Sequence, residues 1–233
     1  MMTLESQTIP VSALQPDCIA QMEQLMRAHY DGVCEIQFRA DLSAKQWVIL
    51  LRDNGQLCGF STQVLFDYPL AGRRVKILFS GDTIIEKKHW GSLALPVAWG
   101  RLMLSLCAAH PESELFWLLT SKGYKTYRFL PVFFHEFYPC CTSETPAFEK
   151  ALLEAAASQR FGKRFDPACG VLRAEAGAQR LRNGVAEIDA IRLRDPHVAF
   201  FQKKNPGHAQ GDELVCLARF HVENLKPYIR RQL

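Results

Sequence analysis

The residues of this chain best suited to chemistry lie in one stretch, VKILFSGDTIIEKKHWG, which runs from residue 75 to 91. Aliphatic, aromatic and β-branched residues over 75–85 predict a strand buried on both faces. Gly81 interrupts that strand, and a glycine there commonly marks a bulge. The neighbouring Asp82 could then point into a cleft, where a carboxylate with a raised pKa can accept a proton. The alternative is that Asp82 only accepts hydrogen bonds from local amides.

The strand runs into a basic loop that precedes an apolar helix, predicted over 92–109. Ser92 is the expected N-cap, and Pro96 falls at the end of the first turn, where its missing N–H costs little. Free N–H groups and the helix dipole favour phosphate at such a terminus, and Lys87 and Lys88 add positive charge. We therefore expect an anionic cofactor here; a solvated turn is the alternative.

Composition limits the class of protein. The 233 residues are 48% hydrophobic, with a mean hydropathy of −0.08, as in a soluble globular protein with a sizeable core. A net charge of +4 is too small to indicate nucleic acid but suits an acidic partner or an anionic cofactor. The eight cysteines form no CxxC pair, and the N-terminus lacks a signal-peptide pattern, so we expect reduced thiols, a cytoplasmic location and no metal. The longest apolar run, 93–109, contains Arg101 and is too short for a membrane span.

Periodicity and turn signals predict a mixed α/β fold. The expected helices are 14–30, 92–109, 122–128 and 147–160; the expected strands are 47–52, 56–66, 75–85, 115–119, 198–201 and 214–218. A hairpin turn is predicted at Asp53-Asn54-Gly55, and the helix between strands 75–85 and 115–119 favours a parallel pair. Residues 1–10 are expected to be a loose terminus. We expect one domain over 1–233, with a core of about 15–145 and a C-terminal elaboration over 146–233.

The succession of elements over residues 15–130 resembles the GNAT superfamily of N-acyltransferases, in which a central strand opens into a pyrophosphate-binding loop ahead of a helix. IIEKKHWGSLAL occupies the place of that loop, although only Gly91 remains of the family's glycine pattern. The resemblance implies a central mixed sheet flanked by helices. It also implies donor binding by Ile84, Ile85, Lys87, Lys88, His89, Gly91 and Ser92.

A second similarity lies in SKGYKTYRFLPVFF, residues 121–134, which follows a strand as the family's fourth helix does. A tyrosine of that helix often protonates the departing thiolate, which implies this role for Tyr127, with Tyr124 as the other candidate. Either tyrosine could instead be a packed aromatic residue. His29, at the end of the first helix, could share the role of base with Asp82; a histidine there also commonly interacts with the helix dipole.

The basic loop, the many aromatic residues and the long C-terminus look most like family members that transfer fatty acyl chains. The resemblance thus implies an N-acyltransferase that moves an acyl group from acyl-CoA or acyl carrier protein to an amine of an amino acid, peptide or small molecule. Acidic acyl carrier protein could dock on Arg73, Arg74, Lys76, Lys87 and Lys88, unless these form an ordinary solvated face. The alternative is a catalytically inactive module of the same fold that binds an acyl thioester or a protein partner.

Overall fold

An eight-stranded mixed sheet forms the centre of the computed structural model, which describes residues 4–233. The strands are β1 (Glu5–Pro10), β2 (Tyr30–Asp31), β3 (Trp47–Asp53), β4 (Gln56–Asp67), β5 (Val75–Ile85), β6 (Glu114–Ser121), β7 (Phe165–Asp166), β8 (Val171–Leu172), β9 (Arg180–Leu181) and β10 (Glu213–Arg219). Their order in the large sheet is β1-β3-β4-β5-β6-β10-β8-β7, while β2 and β9 form a separate antiparallel pair. Only β5 and β6 pair in parallel among these described strands, as the crossover helix predicted.

Helices cover both faces of the sheet, which confirms the mixed α/β class. They are α1 (Pro16–His29), α2 (Glu35–Ser43), α3 (Ala94–Ala109), α4 (Tyr124–Tyr127), α5 (Phe129–Phe133), α6 (Ala147–Phe161), α7 (Pro196–Lys204) and α8 (Pro227–Arg230). Side chains of a strand alternate between faces, so Leu51 packs with α3 while Leu50 packs with α1 and α2. On β4, Phe60 joins the α1–α2 core and Phe66, six residues further, lies against the α6 core. Helices α1–α2 and α6 therefore share one face, with α3 on the other.

The predicted bulge in β5 is confirmed. Ser61 of β4 pairs with Thr83, but Gln63 pairs with Ser80, so Gly81 and Asp82 together oppose the single residue Thr62. An extra residue on one strand bends it and reorients the side chain that it carries. The bulge thus lies at the centre of the sheet, between the two groups of helices on one face.

Three predictions about the chain differ from the structure. Residues 198–201 belong to helix α7, because Asp195 caps it by accepting from the His197 N–H at 2.9 Å and Pro196 is its first residue. Residues 5–10 are not loose but form β1 on β3; residues 1–3 lie outside the described part. Helix α3 begins at Ala94, so Ser92 precedes the cap position, although its Oγ still accepts from the Ala94 N–H at 3.2 Å.

The segment beyond residue 146 is part of the same sheet. Strand β10 lies between β6 and β8, and α6 packs over β5, β6 and β10. The remaining predicted helices and strands, including the hairpin turn between β3 and β4, are confirmed with shifts of one or two residues at most ends. No helix within residues 4–233 combines the length and apolar character that a membrane span requires.

Candidate active site

A cleft opens where two central strands separate. The parallel ladder between β5 and β6 ends at Ser80 and Leu119, and beyond these residues the strands have no register with each other. The cleft has a volume of about 1590 Å³ and is lined from both sides of the sheet. Its walls are the ends of α1 and α6, the start of α3, and a segment over 175–192 that the β2–β9 pair ties to α1.

The free edge of β5 faces this gap. Glu86 donates its N–H to the Cys58 carbonyl oxygen of β4. Successive residues of an antiparallel strand direct their backbone N–H and C=O groups to opposite sides, so those of Thr83 and Ile85 point away from β4 and toward the gap. The Ile85 carbonyl accepts from the Trp90 indole N–H at 2.8 Å. The N–H groups of Thr83 and Ile85 are therefore positioned to pair with an extended ligand laid along the strand.

Asp82 lies on the wall of the cleft. It is part of the bulge. It lies between Phe79, which packs with α6, and Ile84, which packs with α1 and α2. Burial raises the pKa of Asp82 above that of an ordinary aspartate, and the nearby ammonium groups of Lys122 and Lys45 oppose that rise. A carboxylate in this setting can accept a proton closer to neutral pH.

His29 also lines the cleft, at the end of α1. Its Nδ1 lies 2.9 Å from the Leu25 carbonyl oxygen, which can only accept. Nδ1 therefore donates, and the tautomer that this bond selects has a lone pair on Nε2 that can accept a proton. The structure brings His29 and Asp82 to the same cleft.

A chain of buried hydrogen bonds holds the bulge in place. The Trp117 indole donates to Ser80 Oγ at 2.8 Å, and Ser80 donates to Gln63 Oε1 at 2.6 Å. The amide of Gln63 donates to Ser61 Oγ at 2.7 Å, which in turn shares a hydrogen bond of 2.7 Å with Thr83. The chain spans the residues on both sides of Gly81 and Asp82, so it fixes the backbone from which Asp82 projects.

The loop before α3 divides into residues that line the cleft and residues that do not. Ile84, Ile85, Gly91 and Ser92 line it, together with Trp90 and Leu93. Lys88 and His89 instead lie 3.6 and 3.3 Å from Asp53, at the turn between β3 and β4. Lys87 is exposed and does not itself line the cleft, but its ammonium lies 5.9 Å from the centre of the Trp90 ring, which does. The positions of Lys88 and His89 therefore do not support their predicted contact with a ligand, whereas Lys87 lies beside the cleft.

Two cations from other parts of the chain stand near the start of α3. The ammonium of Lys125 lies 3.1 Å from the centre of the Trp90 ring and donates to the Val185 carbonyl oxygen. Burial, with the charges of Arg192 and Lys87, lowers the pKa of Lys125 to about 8. Lys125 and Arg192 both line the cleft, so this end of it is positively charged.

The two candidate tyrosines occupy different environments. Tyr127 is 0% exposed, donates its hydroxyl to the Pro139 carbonyl oxygen at 2.9 Å and packs against Phe137 and Phe201. Burial raises the pKa of its phenol far above the ordinary value. Tyr127 does not line the cleft, whereas Tyr124 does. The position of Tyr127 therefore does not support its predicted role as an acid.

A small apolar pocket of about 50 Å³ adjoins the cleft at the point where β5 and β6 separate. It shares Gly81, Thr83 and Phe129 with the cleft and ends at Trp99 and Leu233. Phe133 lines the pocket and the cleft as well, whereas Phe134, Phe137 and Tyr138 are buried in the core. The pocket has room for a few atoms.

Comparison with known proteins gives similarity to solved structures only. No family model matches the chain, and neither does any curated protein. A conserved protein of Enterococcus faecalis V583 described as a probable N-acyltransferase is 17% identical over 54% of this chain, with a TM-score of 0.41. This chain covers 31% of that protein, about a third of its length.

Two Escherichia coli proteins are also similar. ElaA is 16% identical, covers 62% of this chain and 95% of its own, and has a TM-score of 0.40. The GNAT family N-acetyltransferase YhbS, solved in complex with CoA, is 11% identical over 55% of this chain and 68% of its own, with a TM-score of 0.36.

Several charged residues of the cleft were missed from the sequence. Lys122 and Arg164 lie 2.8 and 3.7 Å from Glu213, which also accepts from Thr120. Lys45 and Arg160 line the cleft as well. No local signal identifies these residues, because they come from separate elements that only the folded sheet brings together. Among residues 4–233, His, Cys, Asp and Glu side chains form no group of three that could hold a metal ion.

Proposed function

We propose that the protein is an N-acyltransferase that moves an acyl group from a thioester to an amine. The observation that carries this proposal is the cleft at the end of the β5–β6 ladder. Asp82, the proposed proton acceptor, lines this cleft beside a free strand edge and an apolar pocket, and the cleft has a cationic end at the start of α3.

The residues present suit a thioester donor of the coenzyme A kind. The N–H groups of Thr83 and Ile85 would pair with the amides of its pantetheine arm. Lys125, Arg192 and the first turn of α3 would hold its phosphates. The acyl group would enter the small apolar pocket, and amides beside the bulge would stabilise negative charge on the thioester oxygen.

The chemistry needs two proton transfers. The amine attacks the thioester carbon, so a C–N bond forms, the C–S bond breaks, and the amine loses a proton. Asp82 accepts that proton directly or through water, and His29 is the second candidate for this role. The departing thiolate takes a proton from Tyr124, which lines the cleft. The product is an amide and a free thiol.

The donor's identity is a further part of the proposal. A pocket of about 50 Å³ favours a short acyl group over the fatty acyl chain predicted from the resemblance. The positions of the basic residues also fit acyl carrier protein less well than coenzyme A. Arg73 and Lys76 are paired with Glu114 and Asp67, and they lie at the start of β5. The loop with Lys87 and Lys88 lies about 33 Å away at the other end of this eleven-residue strand, so the cations do not form one docking surface.

The test is thiol release from acyl-CoA thioesters of increasing chain length in the presence of a panel of amines, with calorimetric measurement of CoA binding. We expect binding and turnover, with acetyl and propionyl thioesters preferred. Binding without turnover of any thioester would support the inactive-module alternative. Absence of both would overturn the proposal.

Lys125→Ala is expected to weaken donor binding about tenfold while kcat changes less than threefold, because the ammonium would contact a phosphate. Since the pKa of Lys125 is lowered to about 8, binding by the wild type should also weaken as pH rises from 7 to 9. Lys88→Ala is the matched control, because Lys88 is held by Asp53 and Glu86 outside the cleft. Equal losses in both variants would contradict this assignment.

Tyr124→Phe and Tyr127→Phe make a second matched pair. We expect Tyr124→Phe to lower kcat about tenfold, because the thiolate then leaves unprotonated. Tyr127→Phe should leave kcat within twofold but lower the free energy of unfolding by about 1 kcal/mol, since it removes a buried hydrogen bond to Pro139. Steady-state kinetics and urea unfolding measure both effects. A loss of kcat confined to Tyr127→Phe would reverse the assignment.

A further inference from the structure

The side of the cleft between α2 and α6 carries two cations that form no direct ion pair. Lys122 and Arg164, elsewhere in the cleft, are both paired with Glu213. Arg160, in the last turn of α6, and Lys45, just after α2, form no ion pair with any side chain of residues 4–233. This wall of the cleft therefore has positive charge available to a ligand.

Arg160 is held in place by aromatic rings alone. Its guanidinium carbon lies 4.0 Å from the ring centre of Phe79, 5.7 Å from that of Phe66 and 5.9 Å from that of Phe161. The side chain is half-buried and lines the cleft. None of its five N–H groups forms a hydrogen bond within the described chain. A guanidinium stacked in this way presents a rigid fork suited to a carboxylate or phosphate.

Lys45 lies near both Arg160 and the bulge, and burial, together with the charge of Arg160, lowers the pKa of its ammonium. A Cβ added at Gly81 would lie 2.8 Å from Lys45 Cε and 3.2 Å from its Nζ, so the lysine passes directly beside the bulge that carries Asp82. Its ammonium donates to the backbone oxygen of Asp41 at 2.9 Å. The nearby Asp41 carboxylate is exposed and accepts from Gln37, so it does not neutralise either cation by contact.

We propose that the acceptor is an amine that also carries an anionic group, carboxylate or phosphate, bound by Arg160 with help from Lys45. This inference rests on the proposed function, since it places the acceptor's amine at Asp82 and its anionic group further along the same wall. Positive charge along this wall disfavours polycationic amines and attracts anionic ones.

Matched acceptor pairs test the proposal. An α-amino acid is compared with its carboxamide, and an amino sugar phosphate with the unphosphorylated sugar, so that the two arms distinguish carboxylate from phosphate. For the wild type, kcat/KM for at least one anionic acceptor should exceed that for its neutral partner about tenfold or more. In Arg160→Gln that preference should disappear, with the neutral acceptor changed less than threefold. Arg160→Lys should restore part of it.

Arg101→Gln is the control for loss of a positive charge, because Arg101 is an exposed residue of α3. Thermal unfolding of each variant checks that it folds. Where the wild type transfers an acyl group, the proposal is overturned if it shows no preference in either arm, or if Arg160→Gln lowers activity equally for anionic and neutral acceptors.

Binding without chemistry separates this inference from the proposed function. The same ligands are titrated by calorimetry in the absence of donor. If no acyl transfer occurs but the anionic ligand binds the wild type at least tenfold more tightly than Arg160→Gln, the anion site stands and the acyltransferase proposal fails. If transfer occurs and Arg160 makes no difference to either binding or preference, the anion site fails and the acyltransferase proposal stands.

Discussion

Asp82→Asn is expected to lower kcat/KM for acyl transfer at least ~100-fold without destabilising the protein, because it removes the proton acceptor and keeps the shape of the side chain. Asp53→Asn is the control. Asp53 contacts Lys88 and His89 outside the cleft, and its replacement should change activity less than threefold. Activity of Asp82→Asn within threefold of the wild type would show that Asp82 is not the base.

The pH dependence of the wild type tests the same residue. Asp82 accepts a proton only when ionised, so kcat/KM should rise with pH through its pKa, which burial raises above the ordinary aspartate value near 4. In Asp82→Asn the residual activity should lose this limb of the profile. A limb that persists in the variant would assign it to another group, with His29 as the next candidate.

Stability gives an independent readout on Asp82. Because its pKa is higher in the folded than in the unfolded state, the folded state binds more protons between the two pKa values. The free energy of unfolding therefore falls as pH rises through that window and stays lower above it. Asparagine carries no such cost, so Asp82→Asn should unfold at the same or a higher temperature than the wild type at pH 7.

Gln63→Ala is expected to lower the free energy of unfolding by about 2–4 kcal/mol, or roughly 4–16 °C in Tm for a chain of this size. Gln63 is 0% exposed and links Ser80 to Ser61. Its truncation removes one buried hydrogen-bond partner from each hydroxyl and opens a cavity beneath the bulge. Because the bulge positions Asp82, kcat should also fall about tenfold.

Gln56→Ala is the control for this variant, because Gln56 is an exposed residue at the start of the same strand. A surface substitution usually changes the free energy of unfolding by about 0.5 kcal/mol or less, so this variant should change Tm by less than about 2 °C. Thermal unfolding and steady-state kinetics measure the two effects. If Gln63→Ala unfolds within about 2 °C of the wild type, as a surface substitution would, the buried hydrogen-bond chain does not hold the bulge.

The sheet centre was predictable because its signals are local. The bounds of β5 match the prediction, and the glycine inside the strand indicated the bulge beside Asp82. The apolar run of α3 and its place between two strands were enough to predict a parallel pair. The prediction of a strand over 198–201 was wrong because a short apolar segment fits either a strand or a helix. Asp195 and Pro196, just before it, are a helix-start signal that favours the helix.

The side chains of the site were less predictable, because their directions depend on distant residues. Lys88 and His89 turn away from the cleft toward Asp53, which lies more than thirty positions earlier in the chain. Tyr124 and Tyr127 differ by three positions in one short helix, and only the packed core shows which one reaches the cleft. Arg160 is brought to β5 by α6, which follows the whole first half of the chain.

The place of β10 in the sheet has a consequence for how the protein is made. The second edge of strand β6 pairs with residues 213–219, which are synthesised almost a hundred positions later. Until that part leaves the ribosome, the nascent chain presents an unpaired edge rich in leucine and aromatic residues, the kind that joins other chains. We therefore expect slow translation or early termination after residue 146 to favour aggregation rather than a smaller folded product.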